Sequence, residues 1–383
     1  MKKLATIVLI ALAFSLNACK GPEGPAGPQG LAGKDGKDGL NGKDGANAGF
    51  VYFDGFKTDL KCATCHTPDI DTTFFVAGKV KQWENSTHGN GTAWSEYSSG
   101  CAECHTTEAY QLKQAGKPVT NILNPTPPGC FACHKPHSTG DFSLRTTTPV
   151  ALPASIVGVA DATFDLGKGN LCASCHRPRT ISPMPDPTKT GATDSLVVTN
   201  NRWYTHYGVQ SQMLTGVGAF QFTTAATYTK TAAHSSGVIK TDGCVACHME
   251  NVSPITPGQA YGAQIGGHTM KMEFVAHGST TPAQLLTTCK TCHTSITKFD
   301  YNGKQTAFQA NMDTLKSLLV AKGWIDNDNG ILATSAKPIV FKPAARAGIL
   351  MNYMTLLHDG SNGVHNPAYM NDIVRASIVE ARK

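Results

Sequence analysis

Cys62-Ala63-Thr64-Cys65-His66 is the first copy of a pattern that recurs five more times. The others are Cys101-Ala102-Glu103-Cys104-His105, Cys130-Phe131-Ala132-Cys133-His134, Cys172-Ala173-Ser174-Cys175-His176, Cys244-Val245-Ala246-Cys247-His248 and Cys289-Lys290-Thr291-Cys292-His293. Together they use twelve of the 13 Cys and six of the 14 His. At this composition chance gives far less than one such match. The spacing has a chemical meaning. Two thiols three residues apart face the same side of a helical turn, where they can add to the two vinyl groups of one haem. The next residue, His, then lies under the iron as an axial ligand. C-x-x-C-H is the c-type haem attachment pattern. A zinc site built from four cysteines or a set of exported disulfides would use the thiols but leave the recurring His unexplained. The expected cofactor is therefore haem c, six covalent copies, with His66, His105, His134, His176, His248 and His293 on the irons.

Working outward, the N-terminus accounts for the remaining cysteine. Lys2 and Lys3 precede the apolar run Leu4–Leu16, a charged region followed by a hydrophobic one, as in an export signal. The run is 13 residues long, too short for a spanning helix of about 20 residues. It ends in Leu16-Asn17-Ala18-Cys19, which resembles a lipobox and makes Cys19 the expected lipidation site. Several acyl chains on one Cys would hold the protein firmly to a membrane. Gly then falls at 21, 24, 27, 30, 33, 36, 39, 42 and 45. This Gly-X-Y period is the collagen pattern, because only Gly fits at a triple-helix axis. At about 3 Å per residue such a tract reaches roughly 80 Å. It reads as a stalk, and as a homotrimer interface if the triple helix forms. The expected organisation is a signal peptide over 1–19, a stalk over 20–49 and a cytochrome domain over 50–383.

The motifs and the phrases around them resemble multihaem c-type cytochromes, in particular hexahaem-scale lipoproteins of respiring bacteria, over about residues 60–370. The phrases are Ser86-Thr87-His88-Gly89, His134-Lys135-Pro136-His137, His206-Tyr207-Gly208, Gly266-Gly267-His268-Thr269, Asp359-Gly360-Ser361 and Gly363-Val364-His365-Asn366-Pro367. Pentahaem nitrite reductases carry phrases of this kind, and their catalytic haem has a variant motif or an open axial position. Here all six motifs end in His, a departure that argues against nitrite reduction. Eight His lie outside the motifs, and six closed irons need six of them. The resemblance implies His88, His137, His206, His268 and His365 as distal ligands. His234, ten residues before Cys244, is the sixth. His277 and His358 are the two left over. Met249, Met270 and Met272 are expected to pack as flexible apolar fillers, and Arg177 and Arg179 could pair with haem propionates.

The chain has 383 residues, is 40% hydrophobic and only 8% aromatic, with 38 Gly and 21 Pro. This leaves little bulk for an ordinary core, so the porphyrins are expected to serve as the core. The expected class is mainly α and irregular: short helices at the motifs, long loops, little sheet and a small hairpin around Ser195–Thr199. Helices are expected from about 305, where Phe308, Met312, Leu315, Leu318 and Leu319 recur at helical spacing, as do Ile349, Tyr353, Leu356 and Leu357. A third helix should start near Pro367.

The net charge of +6 is mild. Without Lys2 and Lys3 it is about +4, and six ferric bis-His haems with ionised propionates, each about −1, would take it to about −2, so no nucleic-acid partner is expected. The expected role is electron transfer without an open catalytic haem, to a redox partner protein or an extracellular acceptor. The expected location is the outer membrane, lipid-anchored and facing the cell surface or the periplasm. A reductase of a small nitrogen or sulfur oxyanion and a cytochrome filament subunit are the alternatives. Replacing Cys19→Ala should move the protein from the membrane to the soluble fraction with its haem content unchanged, read on haem-stained gels of fractionated cells. If the variant stays in the membrane, something other than a lipid on Cys19 holds it there.

Overall fold

The computed structural model describes residues 54–67, 71, 73–120, 122–223, 228–230, 233–251 and 264–383. The signal peptide, Cys19 and the Gly-X-Y tract lie outside these residues.

Each attachment motif is a single tight turn. The short helices are α1 (Ala63–His66), α2 (Val76–Glu84), α3 (Thr87–Asn90), α4 (Ser99–His105), α5 (Thr107–Gln114), α6 (Cys130–Cys133), α7 (Pro136–Thr139), α8 (Gly169–Ala173), α9 (Gln210–Thr215), α10 (Val238–Asp242), α11 (Cys244–His248) and α12 (Thr287–Lys290). In four motifs the amide of the motif His donates to the carbonyl of the first Cys. The distances are 2.9 Å for His66, 2.8 Å for His134, 2.9 Å for His176 and 2.8 Å for His293. This i to i−4 bond is one α-helical turn. It brings both thiols to one side and turns the imidazole beyond them. The connections between motifs are irregular. The segment before the first motif is fastened to the segment after the third by a bidentate ion pair, Arg145 to Asp54 at 3.0 and 2.7 Å.

Sheet is sparse, as expected, and among the described residues consists of three two-stranded antiparallel ladders. β1 (Val150–Leu152) pairs with β2 (Ala162–Phe164), and β4 (Glu273–Phe274) with β5 (Ala283–Gln284). The hairpin expected around Ser195–Thr199 is absent. β3 (Leu196–Val198) instead pairs across the chain with β6 (Ile339–Phe341), Leu196 opposite Phe341. Leu196 and Val198 are buried while Val197 is exposed, so the strand closes one side of an apolar core.

That core corrects the expectation that porphyrins alone would hold the interior. The helices α13 (Lys304–Ala321), α14 (Ala347–Asp359) and α15 (Pro367–Arg382) enclose an ordinary apolar cluster. Trp203, Phe220, Phe308, Phe341, Tyr353 and Tyr369 are at most 2% exposed. α13 buries Phe308, Met312, Leu315 and Leu319, one stripe at helical spacing. α14 is buried nearly all round, as a central helix must be. α15 starts as its sequence suggests: Asn366 accepts from the amide of Tyr369 at 3.3 Å and Pro367 occupies the first turn. The aromatic total is low for the whole chain, but most of the fully buried aromatic side chains lie from Trp203 onward, where each contributes about 1.5–3 kcal/mol of burial.

Within this core Asn352 is fully buried and plays the part of a strand partner for Phe220. Its Oδ1 accepts from the Phe220 amide at 2.7 Å, and its Nδ2 donates to the Phe220 carbonyl at 2.8 Å and to Ser377 Oγ at 3.0 Å. Replacing Asn352→Ala leaves a buried N–H and a buried C=O without partners and should cost about 3 kcal/mol. A drop in melting temperature checks this, against little change for the exposed Val379→Ala. Equal effects of the two would show that the Phe220 groups find other partners.

Candidate haem-ligand pairs

Every motif His faces one His from outside the motifs. The ring centres lie 6.2 Å apart for His66–His137, 6.0 Å for His105–His206 and 6.2 Å for His134–His268. They lie 6.0 Å apart for His176–His88, 6.3 Å for His248–His365 and 6.4 Å for His293–His234. This is not ring packing. Among the described residues the closest rings in contact stand at 4.4 Å for Tyr207–His358 and 4.6 Å for His293–Tyr301, and it is the bulkier Trp203 and Phe341 that pack at 6.2 Å. Two imidazoles that each reach one metal through a nitrogen at about 2.0–2.1 Å, with about 1.1 Å more to the ring centre, stand about 6.2–6.4 Å apart. The residues therefore fit an iron held between two imidazoles. Among the described residues no three or more His, Cys, Asp or Glu converge into a metal-ion site. Each pair offers two ligands, and a porphyrin would supply the other four. The twelve motif cysteines are free thiols.

The six partners sit on different local devices. His88 lies on α3, whose N-cap Ser86 accepts from the Gly89 amide at 3.1 Å. His137 lies on α7, three residues after His134, so one short segment serves two pairs. His206 has φ of 69°, a left-handed conformation that is uncommon for a non-Gly residue and held only where the surroundings impose it. His234 and His268 lie on single 3-10 turns, Ala233–Ser235 and Gly267–Thr269. The His268 amide donates to Gln82 Oε1 at 3.0 Å. His365 directly precedes the N-cap of α15, and its amide donates to Ser361 Oγ at 3.2 Å. His277 and His358 face no motif His. His358 stands between Tyr204 and Tyr207 with a buried Nδ1 that lacks a hydrogen-bond partner.

The other ring nitrogen is fixed in many pairs. Nδ1 of His105 meets the Ala93 carbonyl at 2.8 Å, that of His134 the Ser143 carbonyl at 3.3 Å and that of His248 the Met270 carbonyl at 3.1 Å. His234 Nδ1 meets the Val364 carbonyl at 2.7 Å, and His176 Nδ1 meets Gln210 Oε1 at 3.2 Å. Donating Nδ1–H fixes the tautomer and leaves Nε2 as the free ligand atom. Burial pushes His88, His206 and His268 down to about 4. It also lowers His134, His176, His234 and His248. These imidazoles are neutral at neutral pH, the form that binds metal. His365 differs: burial pulls it down, but the charge and hydrogen bond of Asp359 outweigh burial and raise it.

Adjacent motifs touch. The side chains of Cys104 and Cys175 are close neighbours, as are those of Cys172 and Cys244. Cys133 and Cys175 pack in one cluster with Tyr110, whose hydroxyl meets Ser174 Oγ at 2.8 Å. Between the fourth and fifth motifs the backbones nearly meet. A Cβ on Gly169 would lie 2.9 Å from Gly243 Cα, so glycine is required there. Thr288 Oγ1 donates to the Ala246 carbonyl at 2.6 Å, joining the fifth motif to the sixth. The Lys57 amide donates to the His137 carbonyl at 2.7 Å, joining the segment before the first motif to the third. The contacts run from the first motif through the third, fourth and fifth to the sixth, with the second set against both the third and the fourth, the Gly129 amide donating to Thr107 Oγ1 at 2.9 Å.

Several residues that shape these pairs carry no sequence signal of the role. Met270, expected to be a filler, presents Sδ to His88 Nδ1 at 2.9 Å and has φ of 57°. Arg177 and Arg179 reach the carbonyls of Ala151 at 3.5 Å and Gly100 at 3.1 Å. Gln210 and Asp359 bond paired imidazoles directly. Asp359 alone lies in a phrase singled out in the sequence, as part of Asp359-Gly360-Ser361.

No family model and no curated protein sequence matches the chain. Among solved structures it is similar to the outer cell wall cytochrome OcwA, with 21% identity and a TM-score of 0.45. The match covers 79% of this chain and 50% of that one, so the chain spans about half the length of the protein it matches.

Proposed function

We propose that the protein is a hexahaem c-type cytochrome that relays electrons at the cell envelope. The observation that carries this reading is the set of six His–His pairs at 6.0–6.4 Å, each including the His of one CxxCH motif. The cysteine pairs 62/65, 101/104, 130/133, 172/175, 244/247 and 289/292 would hold six covalent haems. The facing imidazoles would take both axial positions of every iron. Haem bound in this way supplies a one-electron couple.

The chain's own residues define the rest. An iron held by two imidazoles would have no position left for a small substrate, which favours a carrier over a reductase. Each motif touches at least one other, and that continuity supports passage along the molecule. Lipid on Cys19 and the tract 20–49 would display the domain from the outer membrane, at the cell surface or toward the periplasm. There it would meet a redox partner protein or an extracellular acceptor.

A pyridine haemochrome assay should give six haems per chain. The reduced protein should bind almost no carbon monoxide, and the oxidised protein should show no high-spin signal in electron paramagnetic resonance. His268→Ala and His365→Ala should each open one site and create both signals, while His358→Ala should change neither. One high-spin haem per wild-type chain would replace the relay reading with the reductase reading and locate the active site.

A further inference from the structure

The C-terminal end of α14 touches two pairs at once, by different chemistry. Gln210 Nε2 donates to the His358 carbonyl at 3.0 Å, while Gln210 Oε1 meets His176 Nδ1 at 3.2 Å. The fourth motif's His is thus supported through a neutral amide. One residue further along, Asp359 Oδ1 accepts from His365 Nδ1 at 2.7 Å. The Asp359 side chain is fully buried, and its Oδ2 takes the hydroxyl of Ser361 and, at 3.2 Å, the Ser361 amide. Seven paired imidazoles have an Nδ1 partner among the described contacts. Six of those partners are carbonyls, an amide oxygen or a thioether, and only that of His365 is a carboxylate.

We infer that Asp359 is a positioning residue that sets the redox potential of the His248/His365 haem below that of its neighbours, an inference that rests on reading those two histidines as an axial pair. A carboxylate that accepts Nδ1–H draws the imidazole toward imidazolate and strengthens its donation to iron. Stronger donation favours the oxidised iron, and hydrogen bonding beyond the ligand is a recognised lever on haem potential. Three further features act in the same direction. The carboxylate is buried, where its field is little screened. It sits at the negative end of α14. The neighbouring His176, at the same helix end, receives only an amide. The fifth motif lies between the fourth and the sixth in the contact order. The lowered potential therefore makes an uphill step inside the series, and it separates the sixth-motif end from the first four.

The test uses the full-length holoprotein and redox titration followed by electron paramagnetic resonance. Asp359→Asn should raise one of the six midpoint potentials and leave five in place. The component that moves should be the low-spin signal that His365→Ala converts to high-spin. Asp359→Glu should restore the low value at least in part. Ser361→Ala takes a donor from Oδ2 and leaves more charge for His365, so the same potential should fall, a sign opposite to that of Asp359→Asn. Haem stoichiometry must remain six, and if Asp359→Asn does not mature, Ser361→Ala decides alone. The inference is overturned if Asp359→Asn moves no potential or moves several together, if Asp359→Glu shifts as far as Asp359→Asn, or if Ser361→Ala leaves the potential fixed or raises it. If His365→Ala creates no high-spin signal in a six-haem protein, the axial reading itself falls. If it does create one while Asp359→Asn is silent, only the role of Asp359 falls.

Discussion

Twelve imidazoles are held in facing pairs whose ring centres stand 6.0–6.4 Å apart, and the architecture around them follows from that spacing. Rings so placed do not touch, so they contribute almost no dispersion attraction to holding each other. Each pair nevertheless joins distant parts of the chain, such as His134 with His268, at a cost in loop-closure entropy. The motif turn and the Nδ1 hydrogen bonds orient each ring but cannot offset that cost. A covalently tethered group ligated from both sides would offset it, because binding energy at a site formed only on folding becomes folding energy. On that reading the region from the first motif to the sixth would be stable only with such groups in place, whereas the apolar body built on α13, α14 and α15 is stable by ordinary burial.

This division explains what the sequence could and could not reveal. The motif histidines were legible because the chemistry is local: two thiols, one turn and one imidazole within five residues. The mainly helical, irregular class and the three late helices were legible from turn spacing and from periodicity at Phe308, Met312, Leu315 and Leu319. The flanking phrases and the position before Cys244 pointed to the six histidines that now face motif histidines. Which faces which was not legible, since His88 opposite His176 and His105 opposite His206 depend on how long loops return. The pairing of Leu196 with Phe341 was hidden for the same reason. Whole-chain composition misled on the core, because a count over 383 residues does not say which large side chains are buried, and those that are lie mainly from Trp203 onward. The parts played by Gln210, Asp359 and Met270 were not legible either, since nothing in a single Gln, Asp or Met states which imidazole it will meet.

The two regions meet at α14, and this junction gives the apolar body a role beyond stability. The helix is held in the core by Phe220, which bonds Asn352, and by the burial of its own Tyr353 and Leu356 there. At its far end the His358 carbonyl receives Gln210, Asp359 receives His365, and Gly360 at φ 71° turns the chain away. Second-layer partners of a ligand work only if they are themselves rigid, since an acceptor displaced by a few tenths of an ångström weakens its bond and lets the ring rotate. A helix buried on all sides is the most rigid support the chain can offer. A short surface turn, such as the one carrying His234, offers less. Among the described contacts the one carboxylate that meets a paired imidazole, that of Asp359, is carried by this most fully buried helix. A buried charge that is to bias a potential must be held at fixed distance and away from water, because mobility or solvent access would raise the local dielectric response and cancel the bias.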